Sequence, residues 1–129
     1  MSNCVVILED DPTLQKTLGH FLKLEGYDVY SAGNGPKAME LVELLRPDLL
    51  CVDVFMKGMN GIDVVKKVRS DPALAKTPVL AISVSENAKN DMEKVGANEF
   101  LLKPFRLVNF KKILDKMLAV HRDGEHLDL

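Results

Sequence analysis

The stretch Asp48-Leu49-Leu50-Cys51-Val52-Asp53 decides the fold, because it is a short apolar run that ends in a carboxylate. A run of this length is typical of a buried strand when turn signals bound it, here Pro47 on one side and a glycine-containing loop on the other. An ionised carboxylate at the tip of a buried strand is stable only where a cation or hydrogen-bond donors neutralise it. Asp53 therefore predicts a polar site at the end of this strand.

Two other apolar runs end in charged residues that could complete such a site. Cys4-Val5-Val6-Ile7-Leu8 leads into Glu9-Asp10-Asp11, and Phe100-Leu101-Leu102 leads into Lys103-Pro104. Acids from two strand tips and a lysine from a third suit a hard cation and a phosphoryl group. The chemistry is available if the three tips meet in space.

Strand and helix signals alternate along the whole chain. The apolar runs predict strands at residues 4–8, 27–31, 48–53, 79–83 and 100–102. Helix-start signals and one-sided apolar spacing predict helices from Asp11-Pro12, from Asn34-Gly35-Pro36, from Gly61, over residues 86–95 and from Phe105. Strands this apolar, separated by helices, indicate a parallel sheet that is covered on both faces.

Right-handed crossovers limit such a sheet to doubly wound arrangements. We predict an α/β, flavodoxin-like fold with five parallel strands in the order 2-1-3-4-5 and five helices on both faces. In this order a crevice opens at the carboxyl ends of strands one and three. The same edge receives the carboxyl ends of strands four and five, which end in Ser83 and Lys103.

Size and composition indicate one domain and argue against several partners. The 129 residues include 17 basic and 19 acidic side chains, so no strong net field attracts nucleic acid or an anionic membrane. No leader or membrane-spanning run is evident, and Cys4 and Cys51 lie in predicted strands, which predicts free thiols and a reducing, cytoplasmic location. We expect the domain to cover residues 1–121 and a polar tail to fray over residues 122–129.

Several motifs follow one another in a recognisable order and spacing. They are Glu9-Asp10-Asp11; Asp53 followed by Met56, Gly58 and Gly61; Thr77-Pro78 before a strand that ends in Ser83; and Gly96-Ala97 leading to Lys103-Pro104-Phe105. Together they resemble the receiver domain of two-component response regulators. The resemblance extends over residues 4 to 121, which is almost the whole chain.

The resemblance implies that Asp53 accepts a phosphoryl group from a phosphohistidine on a sensor histidine kinase or a histidine phosphotransfer protein. Asp10 and Asp53 would bind Mg²⁺, or Mn²⁺, directly with the backbone carbonyl of Phe55, and Glu9 would bind it through water. Such a protein is not an enzyme acting on other molecules, since it takes part only in its own phosphoryl transfer and dephosphorylation.

The resemblance also implies a switch. Ser83 and Lys103 would bind the phosphoryl oxygens, and Phe100 would be the aromatic residue whose rotamer changes with the phosphorylation state. The changed surface, formed by the fourth helix, the fifth strand and the fifth helix, would bind a downstream protein, without direct contact to nucleic acid or membrane.

Some of these residues have simpler explanations, and two depart from the family pattern. Asp11 is better explained as the N-cap of the helix that begins at Pro12 than as a metal ligand, and Pro104 is expected to direct Lys103 through a cis bond. Lys57 stands where the family usually has proline, which returns a backbone donor to the loop. Val84 stands where the family usually has a small residue, and its bulk is expected to narrow the approach to Asp53.

We interpret the chain as a phosphorylatable receiver domain, with two alternatives. One is a degenerate receiver that acts as a phosphorylation-independent interaction module, which Lys57 and Val84 favour and the intact set of acids and Lys103 disfavours. The other is a flavin-binding or hydrolytic enzyme on the same fold. No Gly/Ser/Thr-rich phosphate loop follows the first strand, and the acids at 9–11 would repel a flavin phosphate.

Overall fold

The computed structural model describes residues 3–56 and 60–127, with side chains as far as Ala119. Strands and helices alternate throughout this part of the chain. The strands are β1 (Cys4–Leu8), β2 (Asp28–Ala32), β3 (Leu49–Asp53), β4 (Val79–Ser83) and β5 (Glu99–Leu102). The helices are α1 (Pro12–Leu24), α2 (Gly35–Leu45), α3 (Gly61–Ser70), α4 (Ala88–Val95) and α5 (Leu107–Leu127).

The strands form one parallel sheet in the order β2-β1-β3-β4-β5, which confirms the predicted flavodoxin-like fold. The register pairs Leu8 with Val52, Asp53 with Ile82, and Ser83 with Leu102. The carboxyl ends of β1, β3, β4 and β5 therefore lie along one edge of the sheet. We call this the carboxyl edge, and the opposite one the amino edge.

The sheet is covered on both faces, as its apolar strands require. All five residues of β3 are buried. Leu50 and Val52 pack in a core with residues of α2, α3 and α4, whereas Leu49 and Cys51 pack in a second core with residues of α1 and α5. Burial on both faces removes the apolar strand from water, as expected for a parallel sheet whose helical crossovers cover both faces.

The local signals at the helix ends act as predicted. Asp11 precedes α1 in an extended conformation and accepts a hydrogen bond from the Thr13 backbone N–H at 3.0 Å, which confirms its role as an N-cap. Gly96 ends α4 with φ +112°, a left-handed conformation that favours glycine. Cys4 and Cys51 are free thiols, also as predicted.

Six predicted boundaries are wrong by one or two residues. β2 ends at Ala32 rather than at residue 31, β3 begins at Leu49 rather than at residue 48, and β5 begins at Glu99 rather than at residue 100. β2 begins at Asp28 rather than at residue 27. α4 begins at Ala88 rather than at residue 86, because the Ala88 and Lys89 N–H groups bond to carbonyls three residues earlier, which makes a turn of this segment. α5 begins at Leu107 rather than at Phe105, since the first carbonyl that accepts from the helix belongs to Arg106.

The polar tail expected to fray over residues 122–129 stays a prediction. The backbone of α5 is helical to Leu127. The division of the chain at residue 121 stays a prediction. Lys57, which departs from the family pattern, and Gly58, which belongs to the motif after Asp53, lie outside the described residues. Among those described, no helix is long and apolar enough to cross a membrane.

Gly61, the first residue of α3, packs against the end of β3 more closely than any side chain would allow. A Cβ atom there would lie 2.6 Å from the Asp53 carbonyl oxygen, 2.6 Å from Val52 Cγ1 and 3.0 Å from Val54 Cα. Two of these neighbours are backbone atoms and cannot move aside without shifting the strand. Glycine is therefore required here for the close approach of α3 to the tip of β3.

Gly61→Ala is expected to destabilise the protein by about 1–3 kcal/mol, the usual cost of overpacking a tight contact. The measurement is the free energy of unfolding from urea titration. Gly33→Ala is the matched control, because a Cβ atom at Gly33 meets nothing within 4 Å, and its effect should stay within about 0.5 kcal/mol. Equal stabilities of the two variants would show that α3 can adjust to a methyl group at this contact.

Candidate functional site

Three buried polar side chains lie at the carboxyl edge. Glu9 is 2% exposed, Asp53 is 6% exposed and Ser83 is fully buried. Each stands at or just after the end of a strand: Glu9 follows β1, and Asp53 and Ser83 are the last residues of β3 and β4. The neighbouring backbone holds the tip of β1 in place, because the Glu9 N–H donates to the Ala32 carbonyl at 3.0 Å.

Lys103 brings the tips of three strands together. Its Nζ atom donates to Glu9 Oε1 at 2.7 Å and to Asp53 Oδ2 at 3.0 Å. Its backbone N–H donates to the Ser83 carbonyl at 2.7 Å, which fixes the residue beside the end of β4. The Lys103–Pro104 bond is cis, as predicted.

The charges at this edge perturb one another. Burial raises the pKa of the Glu9 carboxyl, and Asp53 raises it further, whereas the hydrogen bond from Lys103 opposes the rise. Burial alone would lower the pKa of Lys103, but hydrogen bonds and charge from Glu9 and Asp53 outweigh burial and raise it. The lysine therefore remains positively charged at neutral pH.

A third acid completes a candidate cation site. Asp10 is exposed, and one carboxylate oxygen from each of Glu9, Asp10 and Asp53 lies within 4.8 Å of the others. Such carboxylate oxygens are the ligands that hard divalent ions prefer. We call these three acids and Lys103 the edge site.

The two Glu9 carboxylate oxygens have separate donors. One accepts from Lys103, and the other accepts from the Asp11 backbone N–H at 3.2 Å. The Gln15 side chain also donates to the Glu9 carbonyl at 3.0 Å. Glu9 is thus held by α1 and by the lysine at once.

The loop after β3 lies beside Asp53. The Phe55 backbone N–H donates to Asp53 Oδ1 at 3.3 Å. The Phe55 side chain is 56% exposed, and Val84, which follows β4, is 70% exposed. Asp53 of β3 pairs with Ile82 of β4. Phe55 comes two residues after Asp53, and Val84 comes two residues after Ile82. Two exposed apolar residues therefore follow the carboxyl ends of β3 and β4.

Ser83 and Phe100 are placed differently from the acids. The Ser83 Oγ atom accepts a hydrogen bond from the Ser85 backbone N–H at 3.0 Å, and no hydrogen bond joins it to Asp53 among the residues described. Phe100 is half-buried in β5 opposite Ala81 and packs against the core under α2, α3 and α4. The structure thus brings together Glu9, Asp10, Asp53 and Lys103, with Ser83 attached through the backbone.

Sequence reasoning missed the hydrogen bond between Lys103 and Glu9. It considered Lys103 as a partner of Asp53 and of a phosphoryl group. The signal was present, because an acid at the end of the first strand and a lysine at the end of the last both face the carboxyl edge. Whether the Lys103 ammonium group bonds to both carboxylates depends on distances in the folded protein, which the sequence does not show.

Comparisons with known proteins agree with this arrangement. The family model described as the response regulator receiver domain matches residues 5–115. The DNA-binding response regulator MtrA of Mycolicibacterium smegmatis is 35% identical over 112 residues, which cover 82% of this chain and 46% of that protein. A cyclic di-GMP phosphodiesterase of Thermotoga maritima is 40% identical over 104 residues, which cover 80% of this chain and 27% of that protein.

Solved structures give the same result. The chemotaxis protein CheY4 of Vibrio cholerae superposes with a TM-score of 0.86 and 29% identity, covering 91% of this chain and 99% of that one. The chain spans less than half the length of the two relatives named above. With the strand order, the acids at the carboxyl edge and the match over residues 5–115 in agreement, this chain belongs to the response regulator receiver domain family.

Proposed function

We propose that Asp53 accepts a phosphoryl group from a phosphohistidine of a sensor histidine kinase or a histidine phosphotransfer protein. The observation that carries the proposal is the edge site itself, in which three carboxylates and one ammonium group converge at the end of a buried sheet. Structural needs do not explain this convergence, because apolar residues would stabilise the sheet end as well or better. A site for an anionic ligand with a cation does explain it.

In the proposed reaction, a carboxylate oxygen of Asp53 attacks the phosphorus atom. The new O–P bond forms an acyl phosphate as the N–P bond to the donor histidine breaks, and the electron pair of that bond stays on the imidazole. No general base is required, because the nucleophile carries no proton. Lys103, 3.0 Å from Asp53, would place positive charge beside the phosphoryl oxygens.

Mg²⁺ is the proposed cofactor, with Mn²⁺ as a substitute. Asp10 and Asp53 would be direct ligands together with the Phe55 backbone carbonyl, and Glu9 would act through water. The contacts of Glu9 support the indirect role, because Lys103 and the Asp11 N–H already occupy its oxygens. When bound, the ion would neutralise charge on the phosphoryl oxygens, which suits Mg²⁺ because it needs only a few protein oxygens.

Phosphorylation would then change a protein-binding surface through Ser83. Its hydroxyl hydrogen is free to turn toward a phosphoryl oxygen on Asp53, since its present bond to Ser85 uses Oγ as an acceptor. Phe100 would change its position as the segment after β4 moves. Such a local hydrogen-bond change acting on a two-state packing element is a common form of switch.

The proposed output surface comprises α4, β5 and α5. Leu102 of β5 and Val108 of α5 are 42% and 51% exposed, so this face offers apolar side chains to a downstream protein. The net charge of −2 supports a protein partner over nucleic acid or membrane. The proposed location is the cytoplasm. The protein would take part only in its own phosphoryl transfer and dephosphorylation.

Asp53→Asn is expected to abolish phosphorylation, because the amide nitrogen and oxygen do not replace the carboxylate nucleophile. The measurement is mass spectrometry of the intact protein after treatment with a small-molecule phosphodonor and Mg²⁺. Asp63→Asn, at an exposed position in the first turn of α3, is the control and should keep the adduct. Full labelling of Asp53→Asn would refute the assignment, and no labelling of the wild type would favour a phosphorylation-independent interaction module.

Mg²⁺ is expected to stabilise the wild type by mass action, by about 1.4 kcal/mol at a concentration ten times its dissociation constant. Asp10→Ala should remove this effect, because it deletes an exposed ligand. Thermal unfolding with and without Mg²⁺ measures the difference. Asp11→Ala is the neighbouring control: loss of the N-cap should lower stability by about 1 kcal/mol and leave the response to Mg²⁺ intact. An equal response of Asp10→Ala and the wild type would exclude Asp10 as a ligand.

Val84→Ala is expected to speed both phosphorylation by a small donor and loss of the aspartyl phosphate, because it removes bulk that is expected to narrow the approach to Asp53. The stability cost should stay within about 0.5 kcal/mol, since the side chain is exposed. Both rates are measured in the wild type, in Val84→Ala and in Val108→Ala, an exposed valine of α5 that serves as control. Lys57→Pro should change the rates less. Unchanged or slower rates in Val84→Ala would show that Val84 does not obstruct the site.

A further inference from the structure

Arg69, in the last turn of α3, makes a dense set of hydrogen bonds that the proposed reaction does not use. Its guanidinium donates twice to the Gly96 carbonyl, at 3.0 and 2.8 Å. It also donates to the Ala75 carbonyl at 3.1 Å, to the Thr77 carbonyl at 2.7 Å and to Asn98 Oδ1 at 3.0 Å. We call Arg69 and these acceptors the Arg69 clamp.

The Arg69 clamp lies at the amino edge and joins three elements to α3. Thr77 stands just before β4, Gly96 ends α4, and Asn98 stands just before β5. Asn98 Oδ1 also accepts from the Val79 backbone N–H at 2.8 Å, which links the starts of β4 and β5. A planar, charged group with five donors suits this task because it can bind several carbonyls at once.

Gly96 leaves room for the clamp. A Cβ atom at this position would lie 2.8 Å from Arg69 Nε and 3.0 Å from Arg69 Cγ. The arginine stem therefore covers the C-terminal end of α4 in direct contact with its backbone. Burial lowers the pKa of the guanidinium, yet arginine remains charged in proteins, so these are charge-assisted hydrogen bonds.

The opposite end of α4 has weaker attachments, and they lead to the edge site. The Ser85 N–H donates to Ser83 Oγ at 3.0 Å, and the Asn87 N–H donates to Ser85 Oγ at 3.3 Å. The Ala88 N–H, at the first residue of α4, donates to the Ser85 carbonyl at 3.2 Å. Asn87 provides no side-chain cap. Neutral bonds to hydroxyl groups contribute less than charged ones.

We infer that α4 is a lever, with Arg69 as the positioning residue that fixes its Gly96 end while the Ala88 end follows Ser83. This inference rests on the proposed function, because the signal that moves Ser83 is phosphorylation of Asp53. When the Ser83 hydroxyl turns to the phosphoryl group, its Oγ atom moves. The Ser85 N–H, which donates to this atom, then either moves with it or loses the hydrogen bond. The conformational change therefore begins at the Ala88 end of α4, and the Arg69 clamp keeps the Gly96 end in place.

The test is residue-resolved amide hydrogen exchange by NMR in the wild type, with and without a small-molecule phosphodonor and Mg²⁺. In the wild type, phosphorylation should change exchange at Ser85, Ala88 and Lys89 and leave Gly96 and Ala97 unchanged. In Arg69→Met, exchange at Gly96 and Ala97 should become about tenfold faster or more without the phosphodonor. The response to phosphorylation should then spread along the whole of α4.

Two further variants separate positioning from general stability. Lys67→Met, at an exposed position on the same helix, should behave as the wild type. Arg69→Lys, which keeps the charge without the planar fork, should give intermediate exchange at Gly96 and remains informative if Arg69→Met does not fold. Equal acceleration of amides throughout the protein in the Arg69 variants would overturn the inference.

Phosphorylation that changes Gly96 as much as Ala88 in the wild type would also overturn the lever. Failure of the proposed function gives a different result, because the wild type would then take up no phosphate. The local effect of Arg69→Met on Gly96 and Ala97 can still be measured in that case. An unchanged exchange rate at these amides would refute the clamp itself.

Discussion

The need to neutralise two buried carboxylates at the end of a parallel sheet determines how the rest of the carboxyl edge is built. Glu9 follows β1 and Asp53 is the last residue of the adjacent strand β3, and both are almost fully buried. Lys103 reaches them from β5, which lies on the far side of β4, so its ammonium group ties the tips of three strands. A buried ion pair adds little stability compared with apolar packing. Its presence therefore supports the proposal of a phosphoryl-accepting site at this edge.

Most of the fold and part of this site could be predicted from the sequence because they depend on features that repeat or end visibly. The apolar run before Asp53 identifies β3, and the alternation of strands and helices leads to the strand order. Once the order is known, Glu9, Asp53 and Lys103 must face one edge. The Arg69 clamp could not be predicted, because a side chain that bonds to carbonyls up to 27 residues away leaves no periodic pattern.

One wrong boundary, the start of α4, falls where local hydrogen bonds compete. Residues 86 and 87 have the composition of a helix start. The Ala88 and Lys89 N–H groups instead bond to the Ser85 and Glu86 carbonyls, so residues 86 and 87 form a turn and α4 begins at Ala88. At the C-terminus, the polar composition of residues 122–129 predicts fraying, and this stays a prediction beside a backbone that is helical to Leu127. Composition describes what a segment can bury, and it says little about whether backbone hydrogen bonding continues along a helix already begun.

The two edges of the sheet therefore differ in how firmly they hold α4. At the amino edge a charged guanidinium bonds to carbonyls before β4, at the end of α4 and, through Asn98, before β5. At the carboxyl edge the hydrogen bonds described between Ser83 and the start of the same helix use serine hydroxyl and backbone groups. Because β4 and β5 are paired and fixed at their start, a change at Ser83 has little scope to move the strands. The segment from Ser85 to Ala88 is the weaker connection, and it leads directly into the helix of the proposed output surface.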